Sequence, residues 1–310
     1  MKIVFMGTPA AAACSLQRLL DDGYDIAGVY TQPDRPSGRG NKIVHSPVKE
    51  MALRHGLALF QPTKIRTPEA AAEFTALGAE AAAVVAYGRI LPQSFLSAFP
   101  SGAVNLHFSL LPKYRGAAPV NWAIVNGDNK TGVTTIKMDA GLDTGDILAA
   151  RETYIGDDET APELMERLAV LGADVLSETL AGLDQIEPVP QDNENATFAP
   201  IMKREDGAID WQMKARNIAN RVRGFQLFPG SFTTLRGKKA VVWSAKEQAN
   251  IETDASPGTV IESVGDHLAI AAGQRTVLDI IEIQIEGKRR MSVRELLNGV
   301  RIEPGEQFGL

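Results

Sequence analysis

Asn105, His107 and Asp143 are the side chains of this sequence whose types and spacing best suit acyl transfer. Strand side chains repeat every second residue, so Asn105 and His107 would share one face of a strand that ends at His107. The imidazole can move a proton near neutral pH, and the amide can donate a hydrogen bond to a developing oxyanion. Asp143 lies in a loop with two glycines and would supply the carboxylate that orients or charges His107. These residues predict one site built from two segments.

The same residues also permit two simpler interpretations. An Asn and a His two positions apart on a strand are commonly a hydrogen-bonded structural pair. Residues 139–146 place oxygen ligands at alternate positions, as calcium loops do, but they lack the twelve-residue spacing and the terminal Glu of such loops. We therefore predict that the site holds no metal.

The elements that would position these residues can be predicted from the pattern of apolar runs. Strand-like and helix-like segments alternate through the first half of the chain, which predicts an α/β fold with a Rossmann-like, doubly wound and mostly parallel sheet. Ligands bind beyond the carboxyl ends of the strands in such sheets, so His107 lies where chemistry is expected. After a polar stretch with prolines come short strands between glycine turns, typical of a small β-barrel like the OB fold. We predict a catalytic domain over 1–188, a linker over 189–206 and a C-terminal β-barrel over 207–310.

The charge of the chain is unevenly distributed. Its 310 residues hold 32 basic and 38 acidic side chains, a net charge of -6, which argues against a protein that coats nucleic acid by bulk positive charge. Residues 201–250 nevertheless hold 10 basic and 4 acidic side chains, directly after 2 and 12 in residues 151–200. The single cysteine, Cys14, favours a reducing compartment, and no apolar run approaches the length of a spanning helix, so we predict a cytoplasmic protein.

Several further motifs follow one another in a specific order. They are Gly7-Thr8-Pro9, Thr31-Gln32-Pro33-Asp34-Arg35-Pro36, Val85-Ala86-Tyr87-Gly88, Asn105-x-His107-x-Ser109-Leu110-Leu111-Pro112, Arg115-Gly116-Ala117-Ala118-Pro119 and Gly141-Leu142-Asp143-Thr144-Gly145-Asp146. Together they resemble the folate-dependent formyltransferases over nearly the whole chain, most closely in residues 1–150. Phe108 departs from the pattern, since some relatives have Gly there. It lies outside the catalytic set, so we expect altered packing and an unchanged reaction.

The resemblance implies transfer of a formyl group from 10-formyltetrahydrofolate to the α-amino group of the methionine carried by initiator tRNA. Asn105, His107 and Asp143 take the positions of the catalytic residues. No metal and no covalent enzyme intermediate is implied. The residues expected to contact the folate are Ser109, Leu110, Leu111, Pro112, Tyr87, Ile90, Leu91 and Asp139.

The tRNA is expected to contact a loop and the basic segment. Residues 32–47 form a stretch predicted to lack regular structure, and it contains Arg35, Arg39 and Lys42. The resemblance favours tRNA binding by this loop, with Arg39 as the main contact, over a mobile solvated loop. Lys203 begins the basic segment. Its basic side chains among aromatics fit RNA binding in a small barrel, although they could equally form an ordinary solvated face. The aromatic side chains Trp211, Phe225, Phe228 and Phe232 are expected in the core. No protein partner is inferred, and we expect a monomer.

Other functions are possible for the same residues. A formyltransferase acting on glycinamide ribonucleotide or an amino sugar, or a formyltetrahydrofolate hydrolase, would use the same side chains but would not account for the basic C-terminal segment. A nicotinamide-dependent enzyme needs Gly-x-Gly-x-x-Gly after the first strand, and residues 7–12 do not supply it. A noncatalytic RNA-binding protein would bind no folate.

Overall fold

The computed structural model describes residues 1–37 and 42–309. The chain divides into two compact units: the first comprises Met1–Pro119, Lys130–Tyr154 and Met165–Ala199, and the second comprises Val120–Asn129, Ile155–Leu164 and Pro200–Leu310. The domain boundaries expected at 188 and 207 remain a prediction.

Most elements of the first unit alternate between strand and helix. They are β1 (Lys2–Gly7), α1 (Ala10–Asp21), β2 (Asp25–Tyr30), β3 (Arg35–Ser37), β4 (Lys42–Val44), α2 (Pro47–Arg54), β5 (Leu59–Phe60), α3 (Pro68–Ala76), β6 (Ala81–Val85), α4 (Gln93–Leu96), β7 (Ala103–His107), β8 (Arg115–Gly116), β9 (Lys130–Lys137), β10 (Ile147–Tyr154) and β11 (Phe198–Ala199). Helices α5 (Pro119–Val125) and α6 (Ala161–Ala181) include residues of both units.

The large sheet of the first unit is mostly parallel, as predicted. Its strand order is β10-β9-β7-β6-β1-β2-β5, with β9 and β10 running antiparallel to their neighbours. Every residue of β6 is buried, as expected for a strand covered on both faces. On one face Val4 and Val84 pack with Phe74 and Phe95. On the other face Leu106 packs against Gly172 of α6, where an added Cβ would come within 2.8 Å of the leucine side chain.

The segment between β2 and α2 contains regular structure that the sequence did not predict. Strands β3 and β4 pair antiparallel, with Arg35 opposite Val44 and Ser37 opposite Lys42. The expectation of a stretch without regular structure is therefore wrong at these two strands. Arg39 lies outside the described residues, and so do the side chains of Arg35 and Lys42.

The second unit is built on an antiparallel sheet in the order β12-β13-β16-β15-β14, with β17 also paired to β16. Residues near the C-terminus bridge its two edges: Phe308 pairs with Leu235 of β12, and Gln307 pairs with Thr259 next to β14. This pairing closes the sheet in the manner of a small barrel. The elements are α7 (Ala215–Gly224), β12 (Ser231–Leu235), β13 (Lys238–Glu247), β14 (Val260–Val264), β15 (His267–Ala271), β16 (Val277–Ile285), β17 (Met291–Ser292) and α8 (Val293–Gly299).

Within the described ranges, no helix is both long enough and apolar enough to cross a membrane.

Candidate active site

Asn105 and His107 lie on β7, whose bounds agree with the prediction. Asn105 is opposite Val84 of β6 and Ile136 of β9, and His107 is opposite Thr134. Both side chains are buried, with 9% and 5% of their surface exposed. Buried polar side chains need hydrogen-bond partners, so the contacts of His107 show which of its ring nitrogens carries the proton.

The two ring nitrogens of His107 face different acceptors. Nε2 lies 2.9 Å from the main-chain oxygen of Tyr114, and Nδ1 lies 3.6 Å from Oδ2 of Asp143. A carbonyl oxygen can only accept, so Nε2 carries the proton in this contact. Nδ1 is therefore the nitrogen that can take up a second proton, and a carboxylate lies beside it. The structure thus brings two of the three predicted catalytic side chains together.

Asp143 is held in an unusual backbone conformation. Its φ angle is 54°, and its Oδ2 accepts a hydrogen bond of 2.8 Å from the amide of Gly116. A Cβ added to Gly145 would lie 1.9 Å from the carbonyl oxygen of Lys137. Glycine is thus required where the loop passes close to β9.

Asp139 also shapes this loop. Its Oδ1 accepts hydrogen bonds from the amide of Gly141 at 3.0 Å and from the hydroxyl of Thr144 at 2.7 Å. A Cβ on Gly141 would lie 1.9 Å from that hydroxyl oxygen. The carboxylate predicted to contact the folate therefore organises the backbone that presents Asp143. Its direct contact with a folate stays a prediction.

The segment from Ser109 to Pro112 is tied to β9. The hydroxyl of Thr134 donates to the Ser109 carbonyl at 2.7 Å and accepts from the Leu111 amide at 3.1 Å. The Ser109 side chain is fully buried and donates to the Lys113 carbonyl at 2.6 Å. Leu110 is partly exposed, the peptide bond between Leu111 and Pro112 is cis, and Phe108 is buried. This segment is a well-defined wall next to His107.

Tyr87, Ile90 and Leu91 follow β6, the neighbour of β7. Tyr87 and Leu91 are buried in the cluster that contains Phe95, whereas Ile90 is 59% exposed. The Tyr87 hydroxyl is buried and has no hydrogen-bond partner among the described residues. The Tyr30 hydroxyl in the same cluster is also buried and unpaired among the described residues, so these two hydroxyls belong to the packed core, and Ile90 is the side chain of this segment that a ligand can reach.

Two polar residues near this segment were not predicted as site residues. Gln32 donates to the Tyr87 carbonyl at 2.9 Å and accepts from Arg89 Nε at 3.2 Å. Arg89 also lines a cavity of about 410 Å³, together with Thr63, Lys64, Ile65, Arg66, Thr67 and Ile90. No periodic pattern marks these residues in the sequence, because their proximity arises from separate loops.

The start of the β3–β4 segment is anchored by Asp34. Its carboxylate accepts hydrogen bonds from Lys49 at 2.5 Å and from Gln61 at 3.0 Å. The bond from Lys49 has the largest effect and the bond from Gln61 the next, and together they lower the pKa of Asp34 below its ordinary value. The carboxylate therefore stays charged across the physiological pH range and holds the base of the segment.

The basic residues of the second unit fall into two groups. Arg223 is desolvated and donates to the carbonyl oxygens of Gly156 and Glu159, so its role is structural. Burial lowers the pKa of Arg223, as it does for Arg221, which donates to the Asp206 carbonyl. Lys203 is exposed. Its main-chain amide donates to the Asp206 carboxylate at 2.7 Å, and its carbonyl accepts from the Asp206 amide at 3.1 Å.

Aromatic side chains of this unit also differ in exposure. Trp211 and Phe225 are buried, which confirms their expected place in the core. Phe228 is 52% exposed, so that expectation is wrong for it: it lies in the loop that the Gly230 amide closes onto the Phe225 carbonyl at 2.9 Å. Phe232 is partly exposed, and Lys239 Nζ lies 4.1 Å from the centre of its ring.

No group of three or more His, Cys, Asp or Glu side chains that could hold a metal ion occurs in residues 1–37 and 42–309.

The chain is similar to known proteins along nearly its whole length. Residues 1–180 match the family model described as formyl transferase, and residues 201–301 match the one described as formyl transferase, C-terminal domain. A methionyl-tRNA formyltransferase from Solibacter usitatus is 47% identical over 311 residues, covering 100% of this chain and 99% of its own. One from Geobacter metallireducens is 45% identical, with coverage of 100% and 99%.

Solved structures share the fold at lower identity. WlaRD, a sugar 3N-formyl transferase determined in the presence of dTDP and 5-N-formyl-THF, has a TM-score of 0.68 at 18% identity and covers 93% of this chain and 99% of its own. An N-formyltransferase from Helicobacter canadensis, in complex with folinic acid and dTDP-3-aminofucose, has the same TM-score and identity, with coverage of 90% and 98%. By its two family matches and its full-length relatives, this chain belongs to the formyl transferase family.

Proposed function

We propose that the protein transfers the formyl group of 10-formyltetrahydrofolate to the α-amino group of methionyl-tRNA, giving N-formylmethionyl-tRNA for translation initiation. The observation that carries this proposal is the likeness to methionyl-tRNA formyltransferases at 45–47% identity over the whole chain. The geometry of His107 and Asp143 supports the chemistry. The folate supplies the formyl group: the amine nitrogen bonds to the formyl carbon, and the bond from that carbon to folate N10 breaks.

His107 is proposed to move the proton that this exchange requires. The attacking amine must lose a proton, and folate N10 must gain one as it leaves. Because Nε2–H donates to the Tyr114 carbonyl, Nδ1 is the nitrogen free to accept the proton and return it. Asp143 Oδ2, 3.6 Å away, stabilises the imidazolium while it exists.

Asn105 is proposed to stabilise the negative charge that develops on the formyl oxygen. Its amide lies on the same face of β7 as His107, in a buried position where a hydrogen bond to an oxyanion is strengthened. One such donor typically lowers the barrier by about 3–4 kcal/mol.

We propose that the folate lies between the segment after β6 and the wall formed by Ser109–Pro112. The contacts would come from Ser109, Leu110, Leu111, Pro112, Tyr87, Ile90, Leu91 and Asp139. The exposed apolar side chain of Ile90 and the partly exposed Leu110 suit contact with a flat ring system.

We propose that the C-terminal barrel and the β3–β4 segment bind the tRNA, with domains over 1–188 and 207–310 and a linker between them. Alternate residues Lys239, Val241 and Trp243 lie on the outer face of β13 and are partly exposed. The guanidinium of Arg290 lies 4.9 Å from the Trp243 ring and also pairs with Glu282, so Lys239 is the more available cation of this face. Cations over half-exposed aromatic rings suit RNA, where charge meets phosphate and rings meet bases. Lys203, Arg35, Arg39 and Lys42 are the other proposed contacts.

We further propose that the protein acts in the cytoplasm as a monomer, since the initiation reaction takes place where charged tRNA is made and used.

The test supplies purified protein with 10-formyltetrahydrofolate and three acceptors: methionyl-initiator tRNA, free methionine and a dTDP-linked amino sugar. We expect formylation of the tRNA at a kcat/KM at least 100-fold above either small amine. The amino sugar is the second candidate acceptor, because the solved structures with the same fold include sugar formyltransferases. Preferential formylation of the amino sugar would overturn the proposal, and release of formate without an acceptor would identify a hydrolase.

A further inference from the structure

Residues 189–199, which we call the strap, run along the first unit and pair with it at both ends. At one end Val189 exchanges two main-chain hydrogen bonds with Ile147 at the start of β10, at 2.8 and 2.9 Å. At the other end β11 pairs in parallel with β8, so that Phe198 is opposite Arg115. The sequence predicts a polar linker here, but this part of it is paired to the segments that flank His107.

Gln191, in the middle of the strap, holds the Asp143 loop. Its Nε2 donates to the carbonyl oxygens of Asp143 at 2.9 Å and Gly145 at 2.7 Å. Its Oε1 accepts from Nε and Nη2 of Arg115 at 3.0 and 2.7 Å. The orientation of the amide follows from these partners, because carbonyls only accept and a guanidinium only donates. Every hydrogen-bonding position of the Gln191 amide is therefore used.

Arg115 completes this arrangement from the other side. Its side chain is 4% exposed, and Nη2 also donates to Oδ1 of Asn193 at 2.8 Å. The strap thus supplies the side-chain oxygens of Gln191 and Asn193 as neutral acceptors to a buried guanidinium. The amide nitrogen of the same Gln191 donates two hydrogen bonds to the loop that presents Asp143. The arginine orients the glutamine, and the glutamine orients the loop.

The strap also holds the second partner of His107. Thr197 Oγ1 accepts from the Tyr114 amide at 2.9 Å, and the Thr197 carbonyl accepts from the Arg115 amide at 2.9 Å. Tyr114, whose φ angle is 61°, provides the carbonyl that receives Nε2–H of His107. One short segment therefore restrains both acceptors that face the imidazole.

We infer that Gln191 is a positioning residue for formyl transfer, acting through Asp143, and that Thr197 supports it through Tyr114. The inference rests on the proposed function for its chemistry. Neither side chain needs to touch a substrate. Replacing either one should therefore slow the proton transfer by His107 and leave substrate binding unchanged. A misplacement of about 1 Å in a reacting group can cost about 100-fold in rate.

The main test is Gln191→Glu, which keeps the size of the side chain and its contact with Arg115. Beside Arg115 the new carboxylate is ionised and can only accept, so the Asp143 and Gly145 carbonyls lose their donors. We expect kcat to fall by about 10–100-fold while KM for the folate and for the tRNA stays within about twofold. Asn195→Ala is the matched control, because Asn195 is exposed in the strap and bonds to Asp192. It should keep wild-type kcat.

A second readout uses the free protein and no substrate. The Gly116 amide donates to Asp143 Oδ2, so its hydrogen exchange reports whether the carboxylate is in place. We expect exchange at Gly116 to be at least about tenfold faster in Gln191→Glu and unchanged in Asn195→Ala. Thr197→Val should lower kcat about 3–10-fold, and Thr197→Ser, which keeps the acceptor, should restore it.

The outcomes separate this inference from the proposed function. Wild-type kcat and slow Gly116 exchange in Gln191→Glu would overturn the role of Gln191, even if the tRNA is formylated. Fast exchange in a protein that does not formylate the tRNA would sustain the positioning contact and refute the proposed function. A lower unfolding temperature with unchanged kcat per folded molecule would show that Gln191 only stabilises the fold.

Discussion

The end of the parallel sheet around His107 and the outer face of the antiparallel sheet around Lys239 use polar side chains in opposite ways. At the first, the imidazole is buried, and Asp143 and the Tyr114 carbonyl lie beside its two nitrogens. At the second, Lys239 is partly exposed and lies over an aromatic ring. Proton transfer needs atoms held at defined distances, whereas contact with a polymer backbone needs accessible charge. We therefore expect changes at the first region to alter kcat and changes at the second to alter KM for tRNA.

The largest expected effect comes from removing the imidazole that we propose as the proton carrier, or the carboxylate beside it. His107→Ala and Asp143→Ala should each abolish measurable turnover, a loss of at least about 10²–10⁴-fold in kcat. Single-turnover formylation with saturating enzyme measures this directly, and circular dichroism checks the fold. Wild-type rates in either variant would remove that residue from the mechanism.

A smaller but still large effect should follow from crowding the Asp143 loop. Gly145→Ala places a methyl group where the Lys137 carbonyl lies, so the loop must shift. We expect kcat to fall about 10–100-fold, with KM for tRNA little changed. Gly299→Ala is the control, since a Cβ there would meet no atom of the described residues within 4 Å. Equal rates in the two variants would mean that the loop tolerates displacement.

Removing a cation from the outer face of β13 should raise KM for tRNA. Lys239→Ala removes one accessible cation, and we expect KM for tRNA to rise about 3–10-fold at low salt, with unchanged kcat and a salt slope reduced by about one. Arg275→Ala serves for comparison, because Arg275 pairs with Glu252 and Asp254. A change in kcat alone would contradict the division between the two regions.

The smallest effect concerns an ion pair on the second sheet. The hydrogen bond from His267 to Asp279, at 2.9 Å, raises the pKa of His267 above its ordinary value. A raised folded-state pKa stabilises the protein fully below the unfolded-state value, about 6.5, and this stabilisation is lost as the pH rises through the folded-state value. Wild type should therefore unfold at a slightly higher temperature than His267→Gln at pH 5.5, and this difference should shrink by pH 9. A difference that does not depend on pH would show that the pair is not electrostatic.

The parts of the fold that follow from local pattern agree with the sequence predictions. Strand β7 begins and ends as expected because its five residues form a short run that follows Pro100, Ser101 and Gly102, which favour a turn. The β3–β4 strands were missed because three-residue strands around Pro36 carry almost no periodic signal. Helix α8 was missed for a similar reason: it has only seven residues, although Ser292 and Glu295 form a capping box at its start.

The basic segment shows where counting charges misleads. Arg221, Arg223 and Lys239 are all basic residues of one sequence segment, yet the first two donate to carbonyl oxygens inside the unit, whereas Lys239 lies over the partly exposed ring of Phe232. Counting charges identifies residues 201–250 as basic, but the packing of each side chain decides which cations are accessible to a ligand.

The sequence by itself determined the family to which the motifs belong, the alternating strands and helices of the first sheet, and the residue types at Asn105, His107 and Asp143 for which we propose catalytic roles. These properties depend on residue types and spacings within short segments, which can be read directly from the sequence. Only the tertiary structure decided how the site is held. Gln191 contacts Asp143 from 48 positions away along the chain, and Thr197 contacts Tyr114 from 83. Such contacts depend on the path of the folded backbone, which no local spacing encodes.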